Sequence, residues 1–510
     1  MSQRGEPSSV LIEILLPEKN FTAYLLDPFV PLLRGFDQST RVTVSRPPSE
    51  PHICTPTSFK APCSTPKHSG NIRPGKRQRR NIEPSPALEP LCQPSSGETS
   101  QSHPLNGFQL EAAHHANIKG DIQHAVDAIR ERWINECNQN GHSEWWSDPH
   151  PLRHPAIARL EWQSSSDFKC SDFWSDLTRD SFQVRNTQFD SDQLSIRVSD
   201  YGITCTNPST TAIGQAFLPD KKCSITLPKR SGFSLATMEN FKSEVLGLNH
   251  SSGWDAVVIE CVIITSISMD KMAKISNAPV PSNEFTETSS PPWQNKSATR
   301  GGKYRTVELY DLFKMDLPGI LGDNGGKRAL IAVWVTNRPK YRRFLKSKFL
   351  PDCHVQGPYS EWYWIKITAS PTSDDKPILH QGGKPLFDLA SNSPRRCYEG
   401  LVLGWYLPPS LRSEPRSTEL PSKIFLSVPL GHSRKPNIID LLAPHLPSDP
   451  SVLELFSRSV SGLASFGNQL ETDSVRPMKG IWHSVGDESP RFMATPWVDS
   501  YKKNQSPSDP

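Results

Sequence analysis

From about Asp220 onward the chain alternates short apolar, β-branched runs with stretches of helical periodicity, and no other feature limits its fold as strongly. The runs are WDAVVIE (254–260), ALIAVWVTN (329–337), EWYWIKIT (361–368), EGLVLGWYL (399–407), KIFLSVPL (423–430) and VLELFSR (452–458). Helical patterns lie between several of them: TVELYDLFKM after Arg305, RPKYRRFLKSKFL after Asn337 and NIIDLLAPHL after Pro436. Such alternation predicts an α/β sandwich with a mainly parallel central sheet. Sheets of that kind bind ligands at the carboxyl ends of their strands.

The rest of the chain divides by composition. Residues 1–45 form a short strand-like segment, with the runs VLIEILLP and FTAYLLDPFV. Residues 46–105 are rich in Ser, Pro and Thr and hold few large apolar side chains, so they are expected to be a disordered linker. The whole-chain figures agree: 48 of 510 residues are proline and only 35% are apolar. Within the linker Lys76, Arg77, Arg79 and Arg80 form a basic cluster, which reads equally as a nuclear-import or phosphate-binding peptide and as solvated charge. Residues 106–215 are expected to be an accessory helical region; Ile122, Val126, Ile129 and Trp133 recur at steps of four, three and four on one helix face. Residues 216–472 hold the alternating pattern, and 473–510 form a polar tail.

Charge and cysteine usage exclude several classes. Formal net charge is only +4, so any nucleic-acid affinity must come from local patches. No run approaches the roughly 20 apolar residues that span a bilayer, and MSQRGEPSS lacks the apolar stretch of a signal peptide, so neither a membrane nor a secreted protein is expected. The ten cysteines contain no C-x-x-C pair, which fits reduced thiols in nucleus or cytosol and argues against a zinc module; no metal is expected.

Chemistry enters at Ser290-Pro291-Pro292-Trp293-Gln294-Asn295-Lys296-Ser297. Two consecutive prolines fix a rigid turn whose carbonyls are free to accept from a ligand, and the tryptophan offers a flat face for stacking a base. Alone, the tripeptide fits an adenine holder or an ordinary loop. It is followed in order by VTNRPKYRRFLKSKF, EWYWIKIT, YEGLVLG, GHSRKP, LELFSR and FGNQL. Together these motifs resemble the family named for the large mRNA adenosine methyltransferase subunit, the MT-A70-like family, in its methyltransferase-like 4 branch. The resemblance spans roughly residues 225–470. It implies a Rossmann-like methyltransferase that uses S-adenosylmethionine to methylate the N6 amine of adenine, in RNA (a small nuclear RNA is the branch's type of target) or in DNA.

Position by position, the resemblance puts Pro291, Pro292 and Trp293 around the target base. It places Lys435 of GHSRKP at the carboxylate end of the cofactor, and Arg458 of LELFSR with Asn468 and Gln469 of FGNQL at its ribose and adenine. Without the family, Lys435 reads as a solvated loop residue, Arg458 as a surface charge, and Phe456 as core. Substrate contacts are expected from Asn295, Lys296, Arg300, Lys303 and Arg305 directly after the motif. Arg338, Lys340, Arg342, Arg343, Lys346 and Lys348 read first as a solvated helix face. The target base must leave any duplex to be reached, which favours single-stranded or loop substrates.

The sequence departs from the family at the acid. The amine of adenine is a poor nucleophile, and a carboxylate with a backbone carbonyl localises its lone pair by accepting its two hydrogens. The family reads Asp-Pro-Pro-Trp directly after the strand, whereas here Ser290 holds the acid's place and residues 261–289 separate WDAVVIE from Pro291. A loop of that length is uncommon inside a compact domain. If Glu260 is GAG and Cys261 TGT, a donor-like GTGT begins at the third base of the glutamate codon; if Ser290 is AGT or AGC, an acceptor AG ends at its second base. Removing the interval keeps the frame and joins GA to T or C, giving WDAVVI-Asp-PPWQNKS. Residues 261–289 are therefore expected to be a translated intron, the alternative being a genuine loop. A second departure is Phe233-Ser234-Leu235-Ala236-Thr237, where the branch has Phe-x-x-Ser-Asp.

The expected protein is a nuclear N6-adenine methyltransferase, also compatible with the cytoplasm, whose partner is RNA or DNA with accessible adenine. The alternative is a catalytically inactive nucleic-acid-binding homologue or activating partner subunit.

Overall fold

The computed structural model describes residues 10–27, 40–45, 107–140, 159–163, 183–186, 194–199, 202–209, 214–218, 223–248, 253–260, 309–368, 372–373, 376–377, 383–389, 396–413, 420–430, 434–461, 480–494 and 498–500. Among them twelve strands form one sheet: β1 Val10–Leu16, β2 Phe21–Leu26, β3 Ser195–Val198, β4 Gly202–Asn207, β5 Ser231–Ala236, β6 Ala256–Ile259, β7 Ala329–Val335, β8 Val355–Lys366, β9 Tyr398–Tyr406, β10 Ser422–Ser427, β11 Val452–Leu455 and β12 Trp482–Gly486. Their spatial order is β1-β2-β10-β8-β9-β7-β6-β11-β12-β5-β4-β3.

The centre of the sheet, β7-β6-β11-β12-β5, is parallel throughout, and so is the run β2-β10-β8. The α/β architecture with a mainly parallel core is the one the apolar runs predict. Strand β9 lies antiparallel between β8 and β7, and β3 and β4 add antiparallel beyond β5. The local reason for the parallel core is that β6 and β7 carry no polar side chain at all, and all their residues are buried. Alternation then sends Val257, Ile259, Ile331, Val333, Leu453 and Leu455 to one face, against Leu312, Ile320, Tyr341 and Phe349. The opposite face receives Ala256, Val258, Leu330, Trp334 and Val452, and packs on Trp364, Phe425, Ile439 and Leu442.

The sheet runs through the boundaries drawn at residues 45, 215 and 472, and the expected polar tail supplies β12, a buried strand of the parallel centre. The β1–β2 hairpin pairs in parallel onto β10, and β3–β4 pair onto β5. Both additions satisfy backbone groups that a bare sheet edge would leave unpaired. Helix α1, Gly107–Asn140, buries Ile122, Val126 and Ile129 against β1, β2 and β10. The residues 46–105 and 473–479 lie outside the described residues, and no described helix is long and apolar enough to cross a membrane.

Candidate active site

Register decides where the site forms. Ile259 of β6 pairs with Leu455 of β11 and Val333 of β7, so β6 and β11 end level while β7 runs two residues further, and the backbone N–H of Glu260 donates to the Leu455 carbonyl at 3.0 Å. Side-chain alternation puts Glu260 and Glu454 on the same face of neighbouring strands. Both line a cleft at the carboxyl edge, together with Arg434, Lys435, Asn437, Arg458, Ser459 and Phe492. The two carboxyls are 6% exposed each.

Burial raises both carboxyls above the ordinary carboxylate range; for Glu260 the neighbouring Glu454 adds to the rise. Glu454 accepts hydrogen bonds from Trp482 Nε1 and Ser484 Oγ, each at 2.8 Å. Those donors favour the charged form at Glu454, whereas burial and the neighbouring Glu454 favour the neutral form at Glu260. A carboxyl in its neutral form is a weaker hydrogen-bond acceptor than a carboxylate.

Lys435 and Arg458, taken from separate motifs in the sequence, meet in this cleft. Neither is a solvated charge: their side chains are 3% and 5% exposed. Lys435 Nζ pairs with Glu399 at the head of β9, which also pairs with Lys366 at the end of β8. Burial would raise the Glu399 carboxyl, but the two ammonium groups outweigh it and hold it down at about 2. Lys435 also lies 5.5 Å from the centroid of the Trp334 ring and 5.8 Å from that of Trp364. Arg458 reaches Glu488 at 2.7 Å, while Arg434 stacks on Phe492 with its guanidinium carbon 4.4 Å from the ring centroid. Burial lowers Arg434 to about 9 and Arg458 to about 10.

A strained turn delivers Arg458. Phe456, the residue after β11, adopts φ 65°, a region that bulky side chains rarely enter. Its ring is nonetheless core, packed at 4.9 Å on Phe241. The reversal ends the strand and lets Ser457, Ser459 and Arg458 turn toward the cleft.

Ser290, Pro291, Pro292, Trp293, Asn295, Lys296, Arg300, Lys303 and Arg305 lie outside the described residues, as do Asn468, Gln469 and the interval 261–289. Of the expected site residues, Lys435 and Arg458 are therefore the two whose positions are described. Phe233 and Ser234 fall inside β5, where Ser234 Oγ bonds His483 Nε2 at 2.9 Å. Sequence reasoning did not single out Glu399, Arg434 or Glu488; the first two sit within the quoted motifs YEGLVLG and GHSRKP.

A parallel α/β sheet with a charged cleft at its carboxyl edge defines a Rossmann-like domain. Residues 289–469 match the family model named MT-A70. Among relatives, the human N(6)-adenine-specific methyltransferase METTL4 is 33% identical over 187 residues, 35% of this chain and 36% of that protein. The N6-methyladenosine RNA methyltransferase MTA1 of Pyricularia oryzae is 32% identical, over 34% of this chain and 42% of its own. A DNA N6-methyl methyltransferase of Caenorhabditis elegans is 31% identical, over 33% and 40%. The alignments thus span well under half of each of these relatives. The crystal structure of an M1.HpyAVI-SAM complex overlaps 50% of this chain and 92% of its own at 9% identity, with a TM-score of 0.24.

Proposed function

We propose that this protein is an S-adenosylmethionine-dependent methyltransferase of the N6 amine of adenine in single-stranded or looped nucleic acid. The observation that carries this reading is the meeting of Lys435 and Arg458 in one carboxyl-edge cleft with the residue that follows Ile259, the position the family's motif acid takes. The MT-A70 match and relatives with adenine-methyltransferase names support it.

The donors in the cleft suit the cofactor. Arg434 Nη1 and Asn437 Nδ2 are buried without a hydrogen-bond partner among the described residues, beside the Lys435 ammonium. This set matches the charged amino-acid end of S-adenosylmethionine, while Arg458, Asn468 and Gln469 are assigned to its ribose and adenine. When bound, that cofactor supplies an electrophilic methyl group. The chain's own part is positional: Trp293 stacks the base, the Pro291 carbonyl and the motif acid accept the two amine hydrogens, and the acid takes the proton the amine releases.

The active form, in this proposal, lacks residues 261–289 and joins Ile259 to Pro291 through one aspartate. Two points support it: the family match begins at residue 289, and in the 510-residue sequence the motif acid's place is held by serine at 290, while burial raises the carboxyl of Glu260, the residue after Ile259. For that longer form the observation favours the second reading, binding without transfer. Transcript sequencing tests the excision; a message carrying the whole interval as its sole form sinks it. Lys296, Arg300, Lys303 and Arg305 are assigned to substrate phosphates, and the cluster Lys76 to Arg80 to nuclear import. Labelled methyl transfer to RNA and DNA oligonucleotides of equal sequence tests the activity and decides between the two substrates; Trp293→Ala should abolish it.

A further inference from the structure

We propose that the phosphodiester backbone of a single-stranded nucleic acid is seated in a cationic pocket between α1 and the helix Pro339–Phe344, across the head of β9 from the cleft. This deepens the functional reading above and rests on it. The pocket is lined by His114 of α1 and by Pro339, Arg342, Arg343, Lys346 and Glu361.

Its charges do not cancel. Three cations face one carboxylate, and Glu361 is already engaged: it takes Arg342 Nε at 2.9 Å, Lys346 Nζ, and the Tyr363 hydroxyl at 2.7 Å. His114 Nε2 lies 2.7 Å from Arg342 Nη1. Burial, then the Arg342 charge, lowers His114 to about 4, so at neutral pH it accepts from Arg342 and adds no charge of its own. The surplus resides on exposed Arg343 and half-buried Lys346.

The arrangement differs from the solvated face that the composition RPKYRRF suggests. The Arg342 side chain is only 8% exposed and forms the inner wall. A π-helical turn, Leu345–Phe349, then widens the helix and brings Lys346 back to the same carboxylate. Turns of this kind recur at functional sites. The result is an outward Arg343 beside a half-buried Lys346 shared with Glu361, on a base braced from two elements, the kind of fork-and-ammonium set that grips phosphate oxygens.

Position links the pocket to the cleft. Tyr398, Glu399 and Gly400 open β9: the Tyr398 carbonyl accepts from Asn337 Nδ2 at 2.6 Å, Glu399 pairs with Lys435 in the cleft, and Gly400 lies against Arg342. A Cβ at Gly400 would fall 2.4 Å from Arg342 Nη2, so the guanidinium in its present position requires glycine there. Strand alternation turns Glu399 and Gly400 to opposite faces of the sheet, so cleft and pocket lie on its two sides, and half-buried Arg338 and Arg396 both act electrostatically on Glu111 of α1. A strand seated in the pocket passes over the head of β9 to deliver its next base to the cleft.

The test uses the full chain, with fluorescence anisotropy of labelled single-stranded RNA and DNA oligonucleotides. Arg343→Glu alone, and Arg343→Glu with Lys346→Glu, should raise Kd at least tenfold. The slope of log affinity against log salt should shrink by about one in the double variant, as phosphate contacts are lost. Lys19→Glu, the same charge change on the β1–β2 turn, outside the pocket's lining, should move Kd less than twofold. If the parent binds while Arg343→Glu leaves Kd and salt slope unchanged, the pocket is not the seat, and the methyltransferase reading stands. If Arg343→Glu weakens binding but no form of the protein transfers methyl, the pocket stands and the reading falls. A parent that binds neither oligonucleotide overturns both.

Discussion

Lys435 and Glu399 form a buried ion pair at the carboxyl edge of the sheet, with Lys366 as a second partner of the same carboxylate. The pair ties the loop after β10 to the head of β9, so it fixes the wall of the cleft as well as its charge. Replacing Lys435 with Met should cost less than the roughly 3–5 kcal/mol typical when a buried pair loses one member, because Lys366 still neutralises Glu399. Urea unfolding of Lys435→Met, Lys366→Met and the double variant measures this. The double should cost more than the two single changes combined, since only it strands the carboxylate.

The pH dependence of stability follows from the same residue. The Glu399 carboxyl is depressed to about 2 in the folded chain, against an ordinary value near 4.5. A depressed carboxyl gives stability that is present above its unfolded value and lost as pH falls through the folded one. Its contribution, on the order of 3 kcal/mol, should therefore disappear between about pH 4.5 and 2. Glu399→Gln should flatten thermal stability against pH in that window.

The Glu260–Glu454 pair carries the opposite sign. Both carboxyls are raised by burial, so their contribution is full below the unfolded value and is lost as pH rises through the folded ones. Glu260→Gln keeps a hydrogen-bond donor for Glu454 and removes the charge that forms at high pH. Its melting temperature relative to the parent should rise steadily from pH 5 to pH 9; a constant difference across that range contradicts a raised Glu260 carboxyl.

Helix α1 should be part of the cooperative core. Ile129 is fully buried between the helix and the sheet, so Ile129→Ala should cost about 2–5 kcal/mol. Denaturation followed by tryptophan fluorescence and by circular dichroism should show one coincident transition at lower urea. Separate transitions would mean that the helix docks without sharing the core.

Much of this was legible in the amino-acid order because the central strands announce themselves. ALIAVWV and AVVI leave no polar face, so they had to be buried parallel strands. Lys435 and Arg458 were legible through their motifs. Glu399 was not, because a single acid at the start of an apolar run reads as a strand boundary; only tertiary pairing brings two ammonium groups to it. Arg342 was hidden for another reason. In RPKYRRF nearly every second residue is basic, and nothing local distinguishes the arginine that turns inward to Glu361 from the neighbour left in water. The edge additions by β1–β2 and β3–β4 depend on open backbone groups of β10 and β5, which no side-chain pattern records.

The central claim is that the acid following Ile259 completes an adenine-methylating cleft with Lys435 and Arg458. The most direct measurement compares labelled methyl transfer from S-adenosylmethionine to adenine-containing oligonucleotides by two proteins: the 510-residue chain, and a form in which residues 260–290 are replaced by a single aspartate. The account predicts transfer to adenine N6 by the aspartate form, at least a hundredfold faster than by the longer chain. Equal rates from both forms, or no transfer from the aspartate form while it binds cofactor and oligonucleotide, would contradict it.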